Sequence, residues 1–443
     1  MAQVLSTFLC DRWVDPARVH HELTATSEHS FWLDAGPAAR LGWSWVGVGV
    51  PERDATLVDA VVCVPGGREN DTYDGKFRGG WVGWLGYDES ASRAGAPSAV
   101  DRFAVPQRLW MRATQFFAFD HARGRMWALA PADDLASLIE TGERAARATT
   151  PQVPSAPCRE AVPRHTAELY ASLIERCRDA ISRGDAYQLC LTTRFELELS
   201  EQLKMHDVYA RLRMANPSHH GGLIISAGVA LASASPERFL EVSDARVRTR
   251  PIKGTRPRSP NGQEDAALRA ELLQSEKERA ENIMIVDLMR NDLSKVCLAG
   301  SVAVEQLLAV ESYAAVHQLV STVAGTLAPG TTVGSLLAAT SPAGSMSGAP
   351  KLSAMAILHG LEDDARGLFG GCFGWVGDDG GLDLAMVIRS IVAHPSGAYV
   401  GAGGGITWQS KPADEVAEVG IKARGPLAAL GATLPPGWCD IVG

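Results

Sequence analysis

Tyr187-Gln188-Leu189-Cys190-Leu191-Thr192-Thr193-Arg194-Phe195-Glu196-Leu197 is the clearest regular pattern in the chain. Tyr187, Leu189, Leu191, Thr193, Phe195 and Leu197 fall on one face, and Gln188, Cys190, Thr192, Arg194 and Glu196 on the other. A period of two belongs to a strand, because successive Cβ atoms of an extended chain point to opposite sides. Gln188 therefore points away from the apolar face. Strands and helices do not alternate strictly around this stretch, so a doubly wound parallel sheet is not expected. An α+β fold with antiparallel sheets is.

Upstream, Tyr170, Leu173, Ile174, Cys177 and Ile181 recur at helical spacing, with Thr166 placed to cap the helix and Gly184 to end it. Residues 149–163 (TTPQVPSAPCREAVP) hold four prolines and few apolar side chains, which reads as a linker. The chain is thus expected to divide into a first region at 1–148, a linker at 149–163 and a main region at 164–434. In the first region, residues 31–34, 43–48 and 77–88 are aromatic, β-branched and glycine-punctuated, and residues 109–129 alternate in places; all read as strands. So many aromatics pack most simply as a core between sheets. The sharper alternative is a pocket for a flat, tryptophan-like ligand.

The 443 residues carry a net charge of −9 and 46 % hydrophobic residues, an ordinary globular composition. A mildly acidic chain gives no reason to expect nucleic acid or an anionic membrane as partner. The start has no basic segment followed by a long apolar core, and no window approaches a membrane span. The eight cysteines form no C-x-x-C and read as reduced. A cytoplasmic protein is expected.

Downstream, residues 223–234 read as one small-residue strand that ends at Ser235-Pro236-Glu237-Arg238-Phe239. A capping or ion-paired role is the common one for such a glutamate. Pro251-Ile252-Lys253-Gly254-Thr255-Arg256-Pro257-Arg258 then sets a lysine between prolines and beside a glycine. Proline stiffens the backbone and glycine admits a close approach, so this is either a solvated turn or a loop that presents Lys253. Residues 263–295 read as a charged helix that turns apolar at Ile283. Glu278 and Glu281 are helix neighbours there, at the boundary of a core, where two carboxylates repel unless a cation or protons intervene. Residues 340–351 (TSPAGSMSGAPK) suit backbone contacts to an anion. Residues 382–392 read as an apolar strand carrying Arg389, and residues 400–406 as a glycine-rich strand. Buried arginines are rare without an anionic partner. On the last helix Glu415, Glu418 and Lys422 share a face. The four glutamates 278, 281, 415 and 418 suit Mg²⁺, which takes hard oxygens and few carboxylates. Arg389, Lys422 and the glycine loops would hold anionic oxygens, leaving Glu237 and Lys253 for chemistry on a small acid.

From about Thr166 onward these motifs (AYQLCLTTRF, SPERF, PIKGTRPR, SEKERAENIMIVDLMRND, GSMSGAPK, MVIRSIV, GAGGGI and ADEVAEVGIKA) resemble the chorismate-utilising enzymes. FWLDA and FRGGWVGWLGYD are similar to the N-terminal part of the synthase component I proteins. The resemblance implies large antiparallel sheets packed face to face and flanked by helices, the anthranilate synthase component I-like fold. Within the family, enzymes that add water have a lysine where this chain has Gln188. Anthranilate synthases typically have alanine where it has Lys253, and aminodeoxychorismate synthases have lysine. The chain is therefore most similar to aminodeoxychorismate synthase component I of the 4-aminobenzoate and folate pathway, with anthranilate synthase component I as the alternative. This implies Lys253 as nucleophile, with a pKa lowered by burial and by Arg389 and Lys422. It implies Glu237 as general acid, kept protonated by burial and nearby negative charge. Gln188, Gly254, Thr255, His317, Arg389, Gly403, Gly404 and Lys422 would be substrate contacts, although His317 alone would read as a core histidine. Glu278, Glu281, Glu415 and Glu418 would hold Mg²⁺. No glutaminase nucleophile is recognisable, so ammonia would come from a separate glutamine amidotransferase subunit or from solution. Phe369 stands where a tyrosine is usual, and no Leu-Leu-Glu-Ser motif of tryptophan-inhibited relatives is visible.

Overall fold

Every strand pairing in the main sheet is antiparallel, and the sheet folds into two layers through one long strand. In the computed structural model the described residues are 5–438, apart from 26, 65–72, 104, 150–152, 157, 199–202 and 314–315. The Arg108–Asp120 strand pairs with Trp43–Pro51 through residues 111–120 and with Gly80–Leu85 through residues 108–112. One layer continues from Trp43–Pro51 through His29–Asp34, His220–Ser226, Val229–Ser235, Ser390–His394 and Gly397–Ile406 to Gln188–Glu198. The other runs from Gly80–Leu85 through Cys372–Gly377, Leu382–Met386, Arg238–Ser243 and Arg246–Thr249 to Val316–Thr326, flanked there by Ile252–Pro257 and Ala303–Ser312. The fold is α+β, as the strand pattern implies.

The aromatics of the first region form the core between the layers. Phe31, Trp45, Phe77, Trp84 and Phe116 are buried together with Ile224, Phe373, Trp375 and Val392. Residues 1–148 and 164–434 thus contribute strands to one sheet. Of the expected linker, residues 150–152 and 157 lie outside the described residues. Arg159–Glu160 pairs with Ala432–Thr433, and Val162–Pro163 with the Gln188–Glu198 strand.

Helices cover the outer faces. Leu189, Leu191, Phe195 and Leu197 pack under the helices Ala167–Ser182, Met205–Ala215, Lys351–Glu362 and Pro412–Leu430. The other face of the same strand is buried too: Gln188, Cys190, Thr192 and Arg194 are each at most 4 % exposed. Helix Glu276–Ser294 packs Ile285, Met289 and Leu293 on the second layer.

Three expected elements are interrupted. The 223–234 strand is a hairpin, because Ala227 and Gly228 at φ 47 and 82 turn the chain. The 263–295 helix breaks at Ser275, which caps the second segment by accepting from Glu278 N. The 382–392 strand breaks between Met386 and Ser390, with Arg389 at φ +52.

Candidate active site

Lys253 lies on a strand, not on the free loop its prolines and glycine suggest. Lys253 pairs with Leu319 and Thr255 with Gln318, so Gly254 is an extra residue, at φ +80. A bulge of this kind bends the strand and re-aims neighbouring side chains. The position also demands glycine sterically: a Cβ there would meet Leu272 Cδ1 at 2.7 Å and Glu278 Cδ at 3.0 Å. Thr255 is exposed. The Lys253 side chain is 13 % exposed and its ammonium lies 3.6 Å from Glu281 Oε2. Burial pulls its pKa down, but Glu281, Cys190, Glu237 and Glu418 more than offset this and hold it above the usual lysine value. The lowered pKa expected from Arg389 and Lys422 is therefore not found; carboxylates dominate the surroundings.

The first layer supplies the opposite wall. Gln188 is fully buried, and neither its Nε2 nor its Oε1 has a hydrogen-bond partner. The glycine-rich strand runs alongside, with Gly403 opposite Thr192, Gly404 opposite Leu191 and Gly405 opposite Cys190. A Cβ at Gly405 would lie 2.4 Å from Gln188 Nε2 and 3.2 Å from Lys253 Nζ, so this glycine leaves the space that amide and ammonium share. Reading Gly403 and Gly404 from the motif passes over Gly405, although period-two alternation puts Gly403 and Gly405 on one face.

Glu237 is 8 % exposed and accepts a hydrogen bond of 3.3 Å from Ser345 Oγ, a residue of the 340–351 loop. Burial pushes its carboxyl up to about 7, against the opposing pull of Lys253 and the Ser345 bond. Of the two causes expected from sequence, burial acts here, and the neighbouring charges instead oppose it.

The four glutamates come from two helices, Glu276–Ser294 and Pro412–Leu430, whose side chains meet through Lys277 and Glu415. Each is matched to a cation. Glu418 lies 2.6 Å from Lys422, which holds its carboxyl down to about 2. Glu278 lies 3.6 Å from Arg256. Lys277 lies between the other two, 3.2 Å from Glu415 Oε1 and 4.0 Å from Glu281 Oε1. Among the described residues no three His, Cys, Asp or Glu side chains converge as around a bound ion. The donor set still fits Mg²⁺ in kind. Glu281 Oε1 is a buried carboxylate oxygen without a hydrogen-bond partner, and Glu415 Oε2 lies 3.0 Å from where a Cβ at Gly404 would be.

Two anion-binding candidates stand differently. No ion pair engages Arg389 among the described residues, and burial lowers its pKa. Lys422 also donates to Gly403 O at 2.8 Å. His317 is occupied on both ring nitrogens, by Ser312 Oγ at 2.8 Å and Asp265 Oδ1 at 3.0 Å. It ties the bulged region to helix Gly262–Gln274, and its hydrogen bonds go to Ser312 and Asp265 rather than to Lys253, Gln188 or Glu237. Phe369 fills the space beside Gly401, where a Cβ would meet its ring at 2.2 Å. A cleft of about 690 Å³ lies elsewhere, lined by residues that include His20, Trp32, His206 and Met214. No helix among the described residues is long and apolar enough to cross a membrane.

A family profile described as chorismate binding enzyme matches residues 50–428. The chain is 39 % identical over 371 residues to an aminodeoxychorismate synthase of Streptomyces pristinaespiralis, covering 80 % of this chain and 51 % of the relative. It thus spans about half the length of that relative. It is 36 % identical over 453 residues to anthranilate synthase component 1 of Thermus thermophilus, covering 96 % of both. Among solved structures it is similar to anthranilate synthase component I of Streptococcus pneumoniae, with a TM-score of 0.74, 28 % identity and coverage of 90 % of this chain and 92 % of that one.

Proposed function

The chain belongs to the family of chorismate-binding enzymes, and from that premise we propose that it converts chorismate and ammonia to 4-amino-4-deoxychorismate, as an aminodeoxychorismate synthase component I. The observation that carries this reading is Lys253, a buried amine aimed by the Gly254 bulge at the space shared with Gln188. Chorismate brings two carboxylates and a C4 hydroxyl. Arg389, which has no carboxylate partner among the described residues, receives the enolpyruvyl carboxylate. Lys422, Gly254, Thr255, Gly403, Gly404 and His317 are the further contacts the family resemblance assigns. A magnesium ion on Glu281 and Glu418, with Glu278 and Glu415 in support, would bind the ring carboxylate and offset charge as the hydroxyl departs.

Glu237, held protonated by burial, gives its proton to the C4 hydroxyl, which leaves as water. Lys253 first releases a proton to solvent; its nitrogen then bonds to C2 as both ring double bonds shift and the C4–O bond breaks. Ammonia bonds to C4, both double bonds shift back, the Lys253–C2 bond breaks to return a neutral amine that takes a proton back from solvent, and the proton from the incoming nitrogen restores Glu237. A carboxamide such as Gln188 cannot take a proton from water at neutral pH, which disfavours water as the nucleophile. Ammonia is supplied by a separate glutamine amidotransferase subunit, and a separate lyase removes pyruvate to give 4-aminobenzoate for folate synthesis in the cytoplasm.

The match to an anthranilate synthase component 1 over 96 % of both chains favours a second reading, direct formation of anthranilate. Incubation with chorismate, Mg²⁺ and ammonium separates the two. Formation of 4-aminobenzoate only after a lyase is added supports the proposal, and fluorescent anthranilate appearing without one overturns it.

A further inference from the structure

Among the described residues Glu418 pairs with Lys422, Glu278 with Arg256 and Glu281 with Lys253, while Glu415 has only a lysine that it shares with Glu281. Lys277 reaches across from helix Glu276–Ser294, 4.0 Å from Glu281 Oε1 and 3.2 Å from Glu415 Oε1. The lysine side chain is 40 % exposed, whereas its two partners are 9 % and 2 % exposed. Its stem therefore runs from solvent into a gap between two buried anions. Moving its head back into water costs the lysine little, since ammonium is well hydrated. Leaving buried Glu415 without a cation, and Glu281 with Lys253 alone, costs much more. Ser410 Oγ donates to Glu415 Oε1 at 2.7 Å, which fixes that carboxylate whether or not the lysine stays. Lys277 and Glu281 are one helical turn apart, so the ammonium is tethered over the gap and is not lost by dilution.

We propose that Lys277 is a built-in placeholder cation, which holds the Glu281–Glu415 gap closed when no metal is bound and is displaced into solvent when Mg²⁺ enters. The inference rests on the magnesium reading above and adds to it a residue that competes with the ion. A divalent cation and an ammonium cannot both sit against the same two carboxylates without strong repulsion. The lysine thus weakens metal binding while protecting the metal-free site from carboxylate repulsion. Of the four expected magnesium glutamates, Glu281 and Glu415 thus have the space between them taken by the chain's own charge.

The test uses the full-length protein without substrate. Mg²⁺ binding is measured by titration calorimetry, and thermal unfolding is followed with and without saturating MgCl₂. Lys277→Met, which keeps the length and removes the charge, is expected to bind Mg²⁺ on the order of tenfold more tightly. It should also melt at a lower temperature than wild type without Mg²⁺ and recover that difference when saturated. Lys277→Arg, which keeps the charge, should behave as wild type. Equal or weaker Mg²⁺ binding by Lys277→Met, or Lys277→Arg behaving like it, overturns the placeholder role alone. No Mg²⁺ binding by any of the three overturns both this inference and the magnesium reading.

Discussion

Two buried charge clusters lie against the same Gln188–Glu198 strand, and they are built in opposite ways. In the first, Arg366 donates through Nε and Nη2 to both oxygens of Glu362 at 2.7 Å, and to the carbonyls of Met346 and Cys190 at 2.6 and 2.8 Å. Its guanidinium also lies 4.1 Å over the Tyr87 ring, and Glu362 accepts from the backbone of Thr192 at 2.8 Å. In the second, the nearest carboxylate to Lys253 is 3.6 Å away, Glu281 Oε1 lacks a hydrogen bond, and the Gln188 amide has none. Burying charge is tolerable when every polar atom is paired and costly when it is not. The closed network is structure. The open one is stable only because the fold around it is overdetermined, and its loose ends are where a ligand with complementary oxygens would be held.

Substitutions that exchange these properties test the contrast, beginning with the largest expected effect. Lys253→Ala should lower turnover by about 10³-fold or more while chorismate still binds, measured by steady-state assay beside calorimetry. Full activity with ammonium would remove Lys253 from the chemistry. Glu237→Gln should cost about 10²–10⁴-fold in turnover. In the wild type, turnover should fall as pH rises through about 7, the value to which burial lifts this acid. The same variant should be more stable. The folded protein holds a proton that the unfolded chain releases near 4.5, so this group's contribution is full below 4.5 and is lost as pH climbs to about 7. At pH 8 the gain from Glu237→Gln is on the order of 3 kcal/mol at most, read from urea unfolding.

In the closed network the effect moves from rate to stability. Arg366→Ala leaves Glu362 buried and unpaired, and unfolding should become easier by about 3–5 kcal/mol. Gln188→Leu should be the mildest, changing stability by no more than about 1 kcal/mol, because no hydrogen bond is lost. A loss of several kcal/mol in denaturant unfolding would mean that the amide is paired and that the contrast fails there.

The long-range design was readable where a local pattern carries it. Alternation from Leu189 to Leu197 gave a strand, and absence of regular βαβ order gave antiparallel sheets. The helical spacing of Tyr170 to Ile181, with Thr166 accepting from Leu169 N, was equally local. Alternation does not say what covers the second face, so the burial of Arg194 opposite Asp101 came only with the fold. Breaks at Ala227, Ser275 and Arg389 leave no mark in periodicity, because each depends on one residue's backbone angles. At the site, residue types were legible and their pairings were not. Glu281 and Glu415 are 134 positions apart in sequence, and nothing local announces that Lys277 lies between them. The pKa of Lys253 is illegible for the same reason: its direction depends on which charges are near in space, and those are chiefly carboxylates. His317 also shows the limit, since both ring nitrogens are engaged by Ser312 and Asp265.

The central claim is that the open cluster is a nucleophilic site centred on Lys253. Peptide mass mapping after incubation with chorismate and Mg²⁺, without ammonia, tests it most directly. The account predicts an adduct of chorismate less water on Lys253, discharged when ammonium is added and missing from Lys253→Ala. An unmodified Lys253 in protein that goes on to turn over chorismate when ammonium is supplied would contradict it.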